Sequence, residues 1–234
     1  MNKGALIGSK KSEDDEWISV SDMMAGLMMI FLFISIFYIQ NISNYFENVS
    51  EERDEICSDL EREFHEDAQK WDMSICESGL LITFQNDSNF ETDSAELSTQ
   101  FKKILSEFFP RLMSVVLKHS ESISELRIEG HTDSSIRRGD TQLSGYLYNT
   151  KLSQERSRNV MSYSLNLSEI VANQSLMEWT YSHVTAHGMS SSNRIFDEGD
   201  TENFDASRRV EFRIRTSAED SLLNLVSELR SDEN

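Results

Sequence analysis

The hydrophobic pattern of the chain begins with one long apolar run near the N-terminus. Met23–Ile39 reads MMAGLMMIFLFISIFYI, seventeen positions without a charge. Extended back to Trp17, the stretch has 23 residues and one charged side chain, Asp22. At about 1.5 Å per residue, this length crosses the ~30 Å hydrocarbon core of a bilayer. Because no small-x-small cleavage site follows, residues 17–39 are predicted as a transmembrane helix rather than a removed signal peptide.

The charges that flank this run predict its orientation. Lys3, Lys10 and Lys11 precede it, whereas residues 41–80 hold twelve acidic residues against three basic ones. Excess Lys and Arg favour the cytoplasmic side of a membrane. Residues 1–16 are therefore predicted as a cytoplasmic tail, with the bulk of the chain on the outer side of the membrane.

Residues 40–73 combine dense charge with an apolar stripe, and a helical stalk outside the membrane is predicted there. The apolar positions recur in steps of three, four and seven, which is typical of a helix: Ile42, Tyr45, Phe46, Val49, Ile56, Leu60, Phe64, Ala68 and Trp71. Glu52 and Arg53 interrupt the stripe, so a coiled coil and a solvated single helix both remain open. Cys57 and Cys76 are a possible disulfide, within the chain or between two chains, or two free thiols.

From residue 74 to 217 the pattern alternates between strand and helix. Period-two or short apolar runs predict strands at 80–84, 126–129, 184–187 and 210–215, and helical periodicity predicts helices at 95–118 and 150–167. Pro110 predicts a kink or a break in the first of these helices. The order β-α-β-α-β-β indicates one α/β domain with its own core, followed by a tail at 218–234.

Composition narrows the classes of function. Twenty-two Lys and Arg against 41 Asp and Glu give a net charge of −19, which excludes nucleic acid as a natural partner. No G-x-S-x-G elbow and no glycine-rich phosphate loop occurs, so neither an enzyme nor a cofactor is predicted. His183 and His187 have the spacing of a helical zinc site, but a strand separates such rings by about 13 Å, so no metal is predicted.

Three motifs in the domain carry recognition chemistry. They are Ile128–Asp133 (IEGHTD), the helical pattern from Asn149 to Arg156 (NTKLSQER), and Arg208–Phe212 (RRVEF). A carboxylate at Asp133 and a planar guanidinium at Arg156, facing one site, would recognise a zwitterion. The alternative is that these two side chains form a structural salt bridge or a loop cap.

These motifs, in this order, resemble the OmpA-like peptidoglycan-binding family over residues 78–216. The resemblance implies that Asp133 and Arg156 bind the meso-diaminopimelate side chain of a peptidoglycan stem peptide, with Asn149 assisting. It extends the predicted peptidoglycan-binding set to these residues: Thr132, Asp133, Tyr148, Asn149, Leu152, Arg156 and Arg208.

The chain departs from this family at two places. The fifteen residues between Asp133 and Asn149 exceed the usual connection and add four large side chains near the site, which either reshape ligand choice or are merely solvated: Arg137, Arg138, Tyr146 and Tyr148. Ser207 stands where the family commonly has Asn, which leaves the Arg208 contact open.

The membrane segment resembles the single transmembrane helix of MotB-type stator subunits. Trp17, Asp22, the small pair Ala25-Gly26 and the Phe-rich continuation are in register with that family, with Ser21 where Ala is usual. The resemblance implies that Asp22 is an intramembrane proton carrier, although a carboxylate at the membrane interface is the alternative from the residues alone. It also implies a bacterial inner membrane with the stalk and the C-terminal domain in the periplasm, and a polytopic MotA-like partner that forms a ring around a dimer of this chain.

The short mixed N-terminal tail, the acidic stalk and the Tyr148–Arg156 cluster are most similar to the MotB-like subunit of Zorya anti-phage defence systems. This resemblance implies a peptidoglycan-anchored, proton-driven rotary motor that signals to cytoplasmic defence effectors through its partner. The alternatives are a flagellar or another proton-driven envelope motor, and a passive tether between membrane and cell wall.

Overall fold

The computed structural model describes residues 13–85, 89–91 and 94–221. The chain divides into two compact units, Met1–Asn48 and Val49–Asn234. Most of the predicted cytoplasmic tail, residues 1–12, and most of the predicted C-terminal tail, residues 222–234, lie outside the described residues.

The first helix, α1, runs from Glu13 to Ala68. Between Val20 and Ile39 its large apolar side chains are 44–74 % exposed, and Asp22 lies among them, also exposed. Among the described residues, this helix is the one that is long and apolar enough to cross a membrane. Since exposed apolar surface costs about 25 cal/mol per Å² in water, lipid or protein must cover this segment.

The second unit contains a five-stranded sheet. The strands are β1 (Met73–Ile75), β2 (Leu81–Gln85), β3 (Ile123–His131), β4 (Val184–Ser190) and β5 (Arg209–Thr216). Their spatial order is β1-β2-β5-β3-β4, and among the described pairs only β3–β4 is parallel. The helices are α2 (Thr99–Lys118), α3 (Gln142–Leu165), α4 (Ser168–Val171), α5 (Gln174–His183) and α6 (Phe204–Ser207). The predicted α/β class is confirmed.

The core lies on one face of the sheet and follows the alternation of β5. Val210, Phe212 and Ile214 are buried. The ring of Phe212 lies 5.1 Å from that of Phe108 on α2 and 5.9 Å from that of Phe84 on β2, both in edge-on geometry. Such aromatic pairs add about 0.5–1.5 kcal/mol each beyond the apolar area that they bury.

The C-terminal part of the predicted stalk packs into this same core. Ile56, Leu60 and Phe64 on α1 are fully buried there, so the structure differs from the predicted domain start at residue 74. The apolar stripe predicts the helix correctly, but periodicity does not reveal which surface a helix packs against. Cys57 and Cys76 form a disulfide within the chain, with Cα atoms 6.1 Å apart.

Two helices differ from their predicted bounds. Helix α3 begins at Gln142 rather than 150, because the Thr141 hydroxyl accepts from the Ser144 N–H while the Ser144 hydroxyl accepts from the Thr141 N–H. Helix α2 begins at Thr99 rather than 95. It continues through Pro110, so of the predicted kink or break the break is wrong. The nine buried residues of α2 outweigh the roughly 3 kcal/mol that an internal proline costs.

Candidate functional site

A pocket of about 300 Å³ lies where β3 ends, between the following loop, helix α3 and the start of β5. Ten residues line it: Thr132, Asp133, Ser135, Ile136, Arg137, Tyr148, Asn149, Leu152, Arg156 and Arg208. The structure thus brings together all seven residues that the sequence predicts for peptidoglycan binding. Their role in binding remains a prediction.

Asp133 follows β3 and is held from two sides. Its Oδ1 accepts from the N–H of Ser135 at 2.8 Å, and its Oδ2 accepts from Nη1 of Arg208 at 2.5 Å. The Nδ2 of Asn149 donates to the carbonyl oxygens of Asp133 (3.1 Å) and Ser135 (3.2 Å). The carboxylate is therefore both a loop cap and an ion-pair partner, and it is fixed at the pocket wall.

Helix α3 approaches the sheet closely, and this places its pocket-facing residues. A Cβ on Gly130 of β3 would lie 2.4 Å from the carbonyl oxygen of Ser153, and one on Gly188 of β4 would lie 2.4 Å from the backbone nitrogen of Gln154. The Ser153 hydroxyl also accepts from the N–H of Ser190 at 3.0 Å. Glycine at these two strand positions allows the helix backbone to contact the strands directly.

Arg156 is 4 % exposed and is oriented by a segment that the motifs do not include. Its Nε donates to the carbonyl oxygen of Ser94 at 3.1 Å, and its guanidinium carbon lies 4.5 Å from the centre of the Phe90 ring. A guanidinium above an aromatic face is stabilised by the charge distribution of the ring. Phe90 and Ser94 are positioning residues that sequence reasoning missed.

Arg208 reaches the pocket although Ser207 replaces the more common Asn. Ser207 is fully buried, and its hydroxyl accepts from the N–H of Ile195 at 3.0 Å. This contact fixes the backbone before β5, and Arg208 then pairs with Asp133 and Asp205. The structure thus places Arg208 in the pocket lining, and its contact with a ligand stays a prediction.

The connection from Asp133 to Asn149 is partly loop and partly the first two turns of α3. Arg137 lies in its loop part, with the guanidinium carbon 3.5 Å from the centre of the Tyr148 ring and Nε 3.4 Å from Oδ2 of Asp140. Arg137 and Tyr148 both line the pocket, whereas Arg138 and Tyr146 are exposed and do not. The pocket lining therefore holds one carboxylate and three guanidinium groups.

A buried ionic network lies beside the pocket, on the sheet face opposite the core. Oε1 of Glu211 accepts from Nε of Arg209 at 2.6 Å, and its Oε2 accepts from Nη2 of Arg213 at 3.1 Å and lies 3.3 Å from Nε2 of His131. Burial opposes ionisation of Glu211, but His131 and Arg209 outweigh it and lower its pKa to about 2. The carboxylate of Glu129 lies against the same histidine, and its pKa is lowered likewise.

These three residues, Glu129, His131 and Glu211, offer ligand atoms within 4.8 Å of one another, as a metal site would. However, Arg213 contacts both carboxylates and Arg209 contacts one of them. Since each carboxylate already faces a cation, we interpret the cluster as a structural ion network rather than a metal centre.

Comparisons with known proteins were made for the whole chain, and no protein-family model matches it. The chain is 37 % identical over 233 residues to the Zorya protein ZorB of Escherichia coli, covering 96 % of this chain and 98 % of the relative. It is 27 % identical over 234 residues to the ZorB of a second Escherichia coli strain, covering 91 % and 87 %.

The crystal structure of a MotB-like protein from Desulfovibrio vulgaris matches with a TM-score of 0.51 at 20 % identity, over 73 % of this chain and 94 % of that one. This match shows a shared fold, and it agrees with the α/β domain predicted from the three motifs. The full-length similarity to the first relative shows more than a fold: this chain belongs to the ZorB family of Zorya proteins.

Proposed function

We propose that this chain is the cell-wall-anchored subunit of a proton-driven, stator-type rotary motor in the inner membrane, acting in a Zorya anti-phage defence system. One observation carries the wall-binding part of the proposal. The carboxylate of Asp133 and the guanidinium of Arg156 line the same pocket at the end of β3. Membership of the ZorB family and the exposed apolar helix support the motor part.

The pocket suits the free end of a meso-diaminopimelate side chain, which carries an ammonium and a carboxylate on one carbon. A carboxylate offers about four lone-pair directions, so Asp133 can accept from the ammonium while it keeps its two observed contacts. Arg156 presents its planar fork to the carboxylate. Tyr148 and Leu152 supply apolar surface for the methylene chain.

Thr132 adds a polar group to this pocket. It is 4 % exposed, and among the described residues its Oγ1 has no hydrogen-bond partner. A buried hydroxyl without a partner costs about 1–3 kcal/mol, so a ligand that bonds to it recovers this cost. Discrimination follows, because a ligand that lacks the matching group leaves the hydroxyl unsatisfied.

In the membrane, Asp22 would take up and release a proton. One helix does not enclose a conduction path, so the proposal requires a polytopic MotA-like subunit arranged as a ring around a dimer of this chain. The N-terminus would be cytoplasmic and the pocket domain periplasmic. A membrane potential supplies about 2.3 kcal/mol per charge per 100 mV, which would rotate the ring stepwise against the wall-bound domain. The ring would pass the signal to cytoplasmic effectors.

The wall-binding step is tested by pull-down of purified full-length protein on peptidoglycan sacculi. Arg156→Gln should lower retention at least ten-fold, because the fork that binds the carboxylate is removed. Arg158→Gln, an exposed arginine on the same helix, is the matched control and should bind like the wild type. Thermal unfolding of Arg156→Gln establishes that it is folded. Unchanged retention by a folded Arg156→Gln would exclude the pocket as the binding site.

The motor step is tested in cells challenged with phage. Asp22→Asn keeps the side-chain shape and removes the titrating charge, so protection should be lost while sacculus retention is unchanged. Ser21→Ala, which restores the residue usual in MotB-type helices, should keep protection. If Asp22→Asn protects fully, the chain acts as a passive tether without ion flow.

A further inference from the structure

We propose that Arg137 forms a second carboxylate-binding position in the pocket, so that the domain prefers stem peptides that end at meso-diaminopimelate, whose main-chain carboxylate is free. This inference rests on the proposed function, since it names the form of peptidoglycan that the same pocket takes. It assigns a role to a residue of the segment between Asp133 and Asn149, which is longer than the corresponding connection in the OmpA-like family.

The first argument is the charge balance of the pocket. A zwitterionic side-chain end needs one acid and one base, and Asp133 and Arg156 supply these. Arg208 lies within ion-pair distance of Asp133 and Asp205, which fixes it in place. Arg137 is a third guanidinium in the lining. The carboxylate of the zwitterion would face Arg156 and that of Asp133 faces Arg208, so the charge of Arg137 is in excess of these two pairs.

The second argument is the way in which Arg137 is held. Its guanidinium stacks on Tyr148 with 3.5 Å between the guanidinium carbon and the ring centre. A guanidinium that stacks on an aromatic ring keeps its N–H groups pointing outward in its own plane, where they can donate hydrogen bonds to a ligand. The ion pair with Asp140 is long, 3.4 Å, and the Arg137 side chain is 52 % exposed, so this pair holds it weakly. A ligand carboxylate can therefore bind without breaking a strong contact.

The third argument is the chemistry of the ligand. The meso-diaminopimelate at the end of such a stem peptide carries two free carboxylates, one at the side-chain end and one at the main-chain end. A further residue, or a cross-link made through the main-chain end, converts the main-chain carboxylate to an amide, and a cross-link at the side-chain end acylates the amine. Either change removes a charge that this pocket is built to bind. Two cationic side chains and one carboxylate in the same lining, Arg137, Arg156 and Asp133, thus fit a peptide that ends at meso-diaminopimelate with its amine and both carboxylates free.

The test measures binding of two synthetic peptides to full-length protein in detergent by isothermal titration calorimetry. One is L-Ala-γ-D-Glu-meso-diaminopimelate, and the other is the same peptide with its main-chain carboxylate converted to a carboxamide. Wild type should bind the carboxamide about ten-fold more weakly, since one charge-assisted hydrogen-bond pair is lost. Arg137→Gln should bind the acid about ten-fold more weakly and the carboxamide no more weakly than wild type does.

Arg138→Gln is the matched control, because it removes the same charge from the neighbouring, exposed position outside the pocket. It should preserve the preference for the acid. The inference is overturned if wild type binds both peptides equally, or if Arg137→Gln weakens both by the same factor. Either result leaves the wall-binding proposal intact, because the peptides still bind. If wild type binds neither peptide, the wall-binding proposal fails and this inference fails with it.

Discussion

Replacing Glu211 with Gln removes the central anion of the buried network while it nearly preserves shape. The variant keeps one carbonyl oxygen as an acceptor, but it leaves Arg209, whose side chain is 6 % exposed, without its carboxylate partner. It also removes the charge that faces Arg213 and His131. Removing one partner of a buried ion pair is costly, because the remaining charge stays desolvated.

The magnitude follows from the pKa of the carboxyl group. A pKa of about 2 against the ordinary 4.5 means that the folded state stabilises the ionised form by about 3 kcal/mol. For a domain of this size, 1 kcal/mol shifts the melting temperature by roughly 2–4 °C. The melting temperature of Glu211→Gln at neutral pH should therefore be about 6–12 °C below that of the wild type.

Thermal unfolding of the full-length protein in detergent, followed by near-UV circular dichroism, measures this difference. The matched control is Glu155→Gln, which removes an exposed carboxylate whose nearest cation is Lys151 at 3.7 Å. Such surface pairs contribute less than about 1 kcal/mol, so its melting temperature should stay close to the wild-type value. A Glu211→Gln melting temperature within 2 °C of the wild type, about the shift that the control allows, would refute the reasoning.

The same variant tests the sign of the pH dependence. The folded-state pKa of Glu211 is depressed, so its contribution is fully present above pH 4.5 and is lost as the pH falls through about 2. The difference in unfolding free energy between wild type and Glu211→Gln should stay constant from pH 7 to about 5 and then shrink towards pH 2. A difference that grows on acidification would contradict this assignment.

Two further changes test the framework of the pocket domain. The double substitution Cys57→Ser, Cys76→Ser opens a covalent loop with a sequence separation of 19 and should lower the unfolding free energy by about 3 kcal/mol in denaturant titrations. Reductant should lower the unfolding free energy of the wild type by the same amount. An unchanged unfolding free energy in both the double variant and the reduced wild type would contradict this prediction. Gly130→Ala places a Cβ 2.4 Å from the Ser153 carbonyl oxygen, so it should destabilise the domain by about 1–3 kcal/mol or more and weaken sacculus retention. Gly26→Ala, with nothing within 4 Å, should do neither.

Much of the fold follows from local pattern. The alternation of Val210, Phe212 and Ile214 predicts β5 to within one residue at each end, because one face of that strand carries apolar side chains and the other carries charged ones. The length and apolarity of Met23–Ile39 likewise predict a continuous helix. β1 was missed, since three residues are too short a run to give a strand signal and its pairing with β2 is what defines it.

The residues of the candidate site that belong to a sequence motif are predictable. Those that reach the site through a contact distant in sequence are not. Asp133, Asn149 and Arg156 follow from motif order. Phe90 and Ser94 do not, because Ser94 meets Arg156 across 62 residues of sequence and neither residue type indicates a ligand. The capping of α3 by Thr141 was also missed, because Ser144 rather than the usual Glu or Gln completes the capping box.

The disulfide between Cys57 and Cys76 has a mechanical consequence. In a chain pulled from its N-terminal side, tension travels down α1 and would otherwise peel Leu60 and Phe64 out of the core one turn at a time. The covalent bond diverts that tension at Cys57 into the segment between β1 and β2. Unravelling of the helix therefore stops at Cys57, and the load passes directly into the sheet.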